Sequence, residues 1–229
     1  TVVKYKMVKA GFEKSSSNIT SKELQNMAED MFNAYDKVEC ELIYDKNKSL
    51  FRQVEKLEMD DDRAYKMASV FVNGNYIRDN IKNEKVKQLR IEDEEYNVLY
   101  SVDEYKWELV NETKEISGYK CYKAKTYYDV VNKKKTTTSK VEVVVWYSPE
   151  IPCNYGPRGF DGLPGLVLEA QPNKTFYLYA TNINFNVKRK DTDIEKALKG
   201  SYITKQKYDS ISNEQFLKRE QFRKSLISK

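Results

Sequence analysis

The sequence predicts a mainly β, α+β fold: a large curved antiparallel sheet, or open half-barrel, with an N-terminal helix and two C-terminal helices packed on it. Three observations lead there. Alternation of period two recurs from the first residues to about Val187, whereas helical periodicity is confined to residues 21–34 and the stretch after 190. All five prolines lie between Pro149 and Pro172, which leaves the rest of the chain free for ladders. No composition shift and no internal repeat divides the chain. One domain over 1–229 is therefore expected, with a sheet core over about 1–187, a helix at about 21–34 and a helical extension over 190–229.

Each element follows from its pattern. Val3, Tyr5 and Met7 share one side of a first strand. Thr20 with Glu23 forms a capping box, and Leu24, Met27, Ala28, Met31 and Tyr35 fall on one helical face, giving a helix from Ser21 to Ala34 packed on the sheet. Val38, Cys40, Leu42 and Tyr44 oppose Glu39, Glu41 and Asp45, as in a half-buried strand, with Leu50–Leu57 as partner. Asp60, Asp61 and Asp62 lack the alternation and glycine of a calcium loop and read as a solvated turn. Short strands are expected near Ala68–Val72, Tyr76–Asp79, Val86–Ile91, Tyr96–Val102 and Tyr105–Val110, with Trp107 pointing inward. After Gly118, Tyr122, Ala124, Thr126, Tyr128 and Val130 alternate towards a basic tip at Lys133, Lys134 and Lys135, and Val141–Tyr147 returns. Alternation over 174–187 predicts a strand of some 45 Å. A short helix near Asp193–Lys199 stopped by Gly200, and a last helix from Ser212 carrying Phe216, Phe222 and Leu226, complete the chain.

Composition narrows the chemistry. The chain has no histidine, which excludes histidine-based triads and imidazole-ligated zinc. Its net charge of +5 arises from 40 basic and 35 acidic residues interspersed along the chain, unlike the concentrated basic stripe that nucleic acid requires. Mean hydropathy is −0.78 and no apolar run is long enough to span a membrane. Cys40, Cys121 and Cys153 allow at most one disulfide. No cofactor, metal or catalytic residue is expected. Glu150, Asp161 and Glu169 flank the stretch 162–167 without a fixed separation, and Cys153 lacks an activating base.

One segment stands apart. Four of the eight glycines lie between Gly156 and Gly165, beside Tyr155, Arg158 and Phe160. Prolines set φ there and glycines allow close approach, so an ordered loop re-entering the sheet at Leu166–Ala170 is expected. Tyr155, Arg158, Phe160, Leu163 and Pro164 are its candidate contact residues, since such types are enriched at interfaces. Alternatively the loop closes one end of the sheet, with Leu163 and Leu166 plugging the core and Trp146 as its anchor.

Gly162-Leu163-Pro164-Gly165-Leu166-Val167 resembles the signature of the GLPGLI proteins, with valine for the final isoleucine. The surroundings agree: Trp107-Glu108-Leu109, Gly118-Tyr119-Lys120-Cys121, Trp146-Tyr147 and Gly156-Pro157. The resemblance implies an exported Bacteroidota envelope protein made with a signal peptide, periplasmic or outer-membrane-associated once that peptide is removed. A start at Thr1 in strand-forming sequence fits the same expectation. The expected function is non-catalytic binding, as an accessory subunit on the periplasmic side of an outer-membrane β-barrel or transporter. The alternative is a carrier of a lipophilic ligand, in a cavity lined by Trp107, Tyr128, Trp146 and Tyr177.

Overall fold

The computed structural model describes residues 1–11, 21–132, 137–185, 187, 194, 197–198 and 200–227. In chain order the elements are β1 (Val2–Lys9), α1 (Lys22–Asn33), β2 (Glu39–Tyr44), β3 (Lys48–Gln53), α2 (Arg63–Ser69), β4 (Tyr76–Asp79), β5 (Glu84–Ile91) and β6 (Glu94–Tyr100). They continue with β7 (Glu108–Ile116), β8 (Tyr119–Asn132), β9 (Thr137–Ser148), β10 (Leu166–Gln171), β11 (Phe176–Asn184), β12 (Ser201–Thr204) and α3 (Lys205–Ile227). Among the described residues, twelve strands join one sheet in the order β12-β6-β5-β4-β3-β2-β1-β11-β10-β9-β8-β7. Among these described strands β7 and β12 are the edges, so the sheet is open, and only the β12–β6 pair is parallel.

Three apolar clusters hold the sheet. The largest gathers Tyr5 and Met7 of β1, Cys40 and Leu42 of β2, Leu166 and Leu168 of β10, and Phe176 and Leu178 of β11. Each leucine fully removed from water there contributes roughly 1.5–3 kcal/mol. The α1 helix joins through its last turn, where Met31 and Phe32 are half-buried, and Tyr35 follows them into the core. A second cluster lies on the opposite face, where Ile43, Leu50, Ile77 and Val86 meet Ile194 and Leu198. Central strands are therefore covered on both sides. This is why Glu41 is only 4% exposed rather than solvated, its carboxylate held by Lys4 at 2.7 Å and Arg52 at 2.8 Å. The third cluster sits at the β8–β10 end: Ala124, Val143, Val145, Tyr147, Val167 and Ala170, with Phe160 and Leu163.

The mainly β architecture and the hairpin agree with expectation, and several local assignments do not. Ala68–Val72 is not a strand: α2 ends there, because Asp62 accepts from Tyr65 N at 3.0 Å as N-cap and Tyr65 and Ala68 bury one helical face. Asp62 is thus a cap, paired with Lys37 at 3.0 Å, rather than part of a plain turn. The strand expected over 174–187 stops at Asn184, since Val2 is the last β1 residue in register with it. Its helix expected from Ser212 begins instead at Lys205, where Thr204 Oγ1 accepts from Lys207 N at 3.2 Å. The β12 strand was not foreseen at all. Gly200 belongs to its approach: a Cβ there would lie 2.0 Å from the Glu95 carbonyl oxygen. Ser21 stands at the N-cap of α1. Thr20, Lys133–Lys135 and most of the helix expected at 193–199 lie outside the described residues.

Candidate functional site

The proline- and glycine-rich loop between β9 and β10 is ordered by its own backbone. Leu166 N donates to Ile151 O at 3.2 Å, Val167 N to Tyr155 O at 3.1 Å and Gly162 N to Asn154 O at 2.9 Å. Two glycines are compelled by space. A Cβ at Gly156 would lie 2.1 Å from Phe160 O, and one at Gly165 2.3 Å from Ser148 O.

The candidate contact residues point mostly inward. Tyr155 is 1% exposed, its ring tilted against that of Tyr44 at 5.4 Å, and its hydroxyl accepts from Asn80 Nδ2 at 2.9 Å. Phe160 lies 5.2 Å from the Tyr105 ring and 6.5 Å from Trp107, while Leu163 is buried beside it. Of the motif, Leu166 and Val167 are core residues and Gly162 and Pro164 are exposed. Arg158 is half-buried, at φ 54°, a left-handed conformation that costs a non-glycine residue of order 1 kcal/mol or more. Trp146 is not the anchor. It is half-buried, with Lys114 Nζ 4.4 Å and Lys123 Nζ 5.7 Å from its ring centroid, and Tyr155 and Phe160 hold the loop instead.

Between this loop and β4–β5 lies a cavity of about 300 Å³. Tyr76 and Lys87 are cross-strand partners in its wall, and Lys87 Nζ sits 4.6 Å from the Tyr76 ring centroid. Lys85, 7% exposed in its side chain, donates to Gly159 O at 2.7 Å and pairs with Asp161 at 3.1 Å and Glu104 at 3.0 Å. Burial lifts the Asp161 carboxyl above its ordinary range, and Lys85 only partly opposes that. Burial also acts to raise the Tyr76 phenol, but the charges of Arg158 and Lys87 outweigh it and hold the group below its ordinary value.

Tyr128 alone of the expected carrier lining reaches this cavity; Trp107 lies beneath Phe160 and donates from Nε1 to Asp161 O at 2.8 Å. The three carboxylates have separate partners: Glu150 accepts from Lys120 N at 3.2 Å, Asp161 pairs with Lys85, and Glu169 with Lys114 at 2.6 Å. All three cysteines are free thiols, and burial pushes Cys40 up to about 12 and Cys121 up to about 11. Sequence reasoning missed Tyr76, Lys85 and Lys87, whose one local signal is that Tyr76 and Lys87 lie on adjacent strands.

A second feature is the outer end of the β8–β9 hairpin. β7 pairs with β8 only as far as Lys125, and β10 pairs with β9 only as far as Val144. From Tyr127↔Glu142 to Asn132↔Thr137 the two strands, among the described residues, pair through their backbones only with each other, while the Tyr128 hydroxyl donates to Pro172 O at 3.2 Å. Tyr127, Val130 and Val131 are 47%, 39% and 60% exposed along this arm.

The comparisons with known proteins bear on the fold and on this central region. A search of curated proteins finds no match. Two solved structures of PNGF-II, in C2 and P21 space groups, share the fold with TM-scores of 0.57 and 0.56 at 16% identity. They cover 91% and 92% of this chain, which itself spans 32% of the PNGF-II chain, about a third. Residues 107–169, which hold β7 to β9, the ordered loop and the start of β10, match the family described as "Protein of unknown function (Porph_ging)".

Proposed function

We propose that the protein is a non-catalytic binding protein of the bacterial cell envelope, an accessory subunit seated on the periplasmic side of an outer-membrane β-barrel. The observation that carries this reading is the bare hairpin arm. A two-stranded ribbon is marginal in water on its own, and this one exposes tyrosine and valine along two unpaired edges. A partner that adds a strand to the arm would satisfy those backbone groups and cover its apolar side chains. The envelope compartment is supported by the resemblance to the exported GLPGLI proteins. The contact surface moves from the loop, whose aromatic residues are buried, to the arm.

The test is a pull-down from detergent-solubilised native membranes, comparing the wild-type chain with Val131→Asp. A stoichiometric β-barrel partner is expected with wild type, and its loss with the variant at unchanged melting temperature. Recovery of the wild-type chain alone, after cross-linking as well as without it, would sink the proposal.

A further inference from the structure

We infer that the cavity between β4–β5 and the Gly156–Gly165 loop binds an oxyanion, the carboxylate or phosphate group of a small ligand. Two cations converge there on one phenol. Lys87 stands over the Tyr76 ring from the neighbouring strand, and Arg158 approaches the same residue from the loop. Neither cation has a carboxylate within ion-pair distance among the described residues, whereas Lys85 has Asp161 and Glu104, and Lys205 has Asp209. Arg158 Nε is buried without a hydrogen-bond partner among the described residues.

Positive charge held this way in a partly desolvated pocket is costly until an anion offsets it. A guanidinium also presents paired donors that match the geometry of carboxylate and phosphate. Arg158, in its left-handed backbone conformation, lines the cavity, and Gly159 keeps the approach open. A Cβ on Gly159 would crowd Lys85 Cε at 3.2 Å and Tyr76 Cδ1 at 3.4 Å. A volume of about 300 Å³ suits one charged group and a small body. The depressed Tyr76 phenol is a further sign of uncompensated positive potential at this point. Tyr128 and Asp129 of the hairpin arm line this cavity, but both cations come from β5 and the loop, so anion binding is measured without the envelope partner.

The full chain is titrated with inorganic phosphate and, separately, with acetate at constant ionic strength, by calorimetry and by ultraviolet titration of tyrosine. Saturable binding of at least one anion is expected, together with a rise of the Tyr76 pKa towards its ordinary value. The anion preferred identifies the group recognised. Lys87→Gln should weaken binding about tenfold, as expected for one lost charge-assisted hydrogen bond. Because Arg158→Gln can fail to fold, Arg158→Lys serves as second variant, keeping the charge and losing the paired donors. No saturable binding of either anion overturns the inference. So does binding that Lys87→Gln leaves unchanged in a folded protein, or a Tyr76 titration that neither anion moves.

Discussion

The two ends of the β8–β9 hairpin use the same alternating sequence pattern to opposite effect. Near its base, β8 is clamped between β7 and β9, and β9 between β8 and β10, while Ala124, Val143 and Val145 are fully buried under Phe160 and Leu163. Further out, Val130 and Val131 carry comparable side chains into solvent. The difference lies in what the rest of the chain lays against the ribbon. Alternation creates an apolar face, and only a second layer makes that face a core. At the base the second layer is the ordered loop; at the tip we propose that another protein supplies it.

The largest way to break this comparison is to remove the loop's contribution. Phe160→Ala should cost roughly 3–5 kcal/mol in denaturant unfolding, the range for a buried aromatic. A loss below about 1 kcal/mol would show that the base of the hairpin is stable without the loop. Next in size, Val145→Ala should cost about 2 kcal/mol, from lost burial and the cavity left behind. Val131→Ala should stay within about 0.5 kcal/mol, as for an exposed position. Equal costs would erase the distinction. Amide exchange sharpens it along the backbone: the outer rungs from Tyr127 to Val131 should exchange through local opening, and those near Ala124 only on global unfolding. Protection of the outer rungs equal to that at the base would contradict a bare arm.

The smallest effect is electrostatic and sets Tyr127 of the arm against Tyr76 of the cavity. The hydroxyl of Tyr127 donates to Glu142 at 2.9 Å, and that carboxylate holds the phenol above its ordinary value, whereas Tyr76 is held below it. Glu142→Gln should therefore bring the Tyr127 titration down without touching Tyr76. Linkage gives the two groups opposite signs. A depressed phenol favours the folded state above the unfolded value near 10 and loses that contribution as pH falls through its folded pKa. A raised phenol does the reverse, and Tyr5 and Tyr105, raised well above 10.0 first by burial, should make stability fall as pH climbs past that value. A flat stability profile in alkali would contradict their burial.

Much of the fold was legible because local pattern and burial coincide. Val3, Tyr5 and Met7, or Cys40 and Leu42, alternate in sequence and all stand at zero exposure. The same reading failed at α2, where apolar residues from Ala68 to Val72 resemble a strand until Asp62 is recognised as a cap. That the Pro149–Pro172 segment is an ordered loop was legible from proline and glycine. Its direction was not, because Tyr155 and Phe160 are residue types that serve equally in an interface or a core. The cavity was the least legible feature. Its parts come from β4, β5 and the loop, and only long-range pairing brings Tyr76, Lys87 and Arg158 together.

The open sheet also bears on how the molecule behaves at high concentration. An unprotected edge is a template on which further copies can grow, end to end, into a fibre. At its two edge strands, β12 and β7, that growth is stopped. β12 runs parallel for only four residues before α3 takes over. The opposite edge carries Glu108, Glu112, Lys114 and Glu115 and a register shift between Val110 and Thr113. Ser201–Thr204 is thus a chain stopper, and deleting it would hand the next copy the edge of β6.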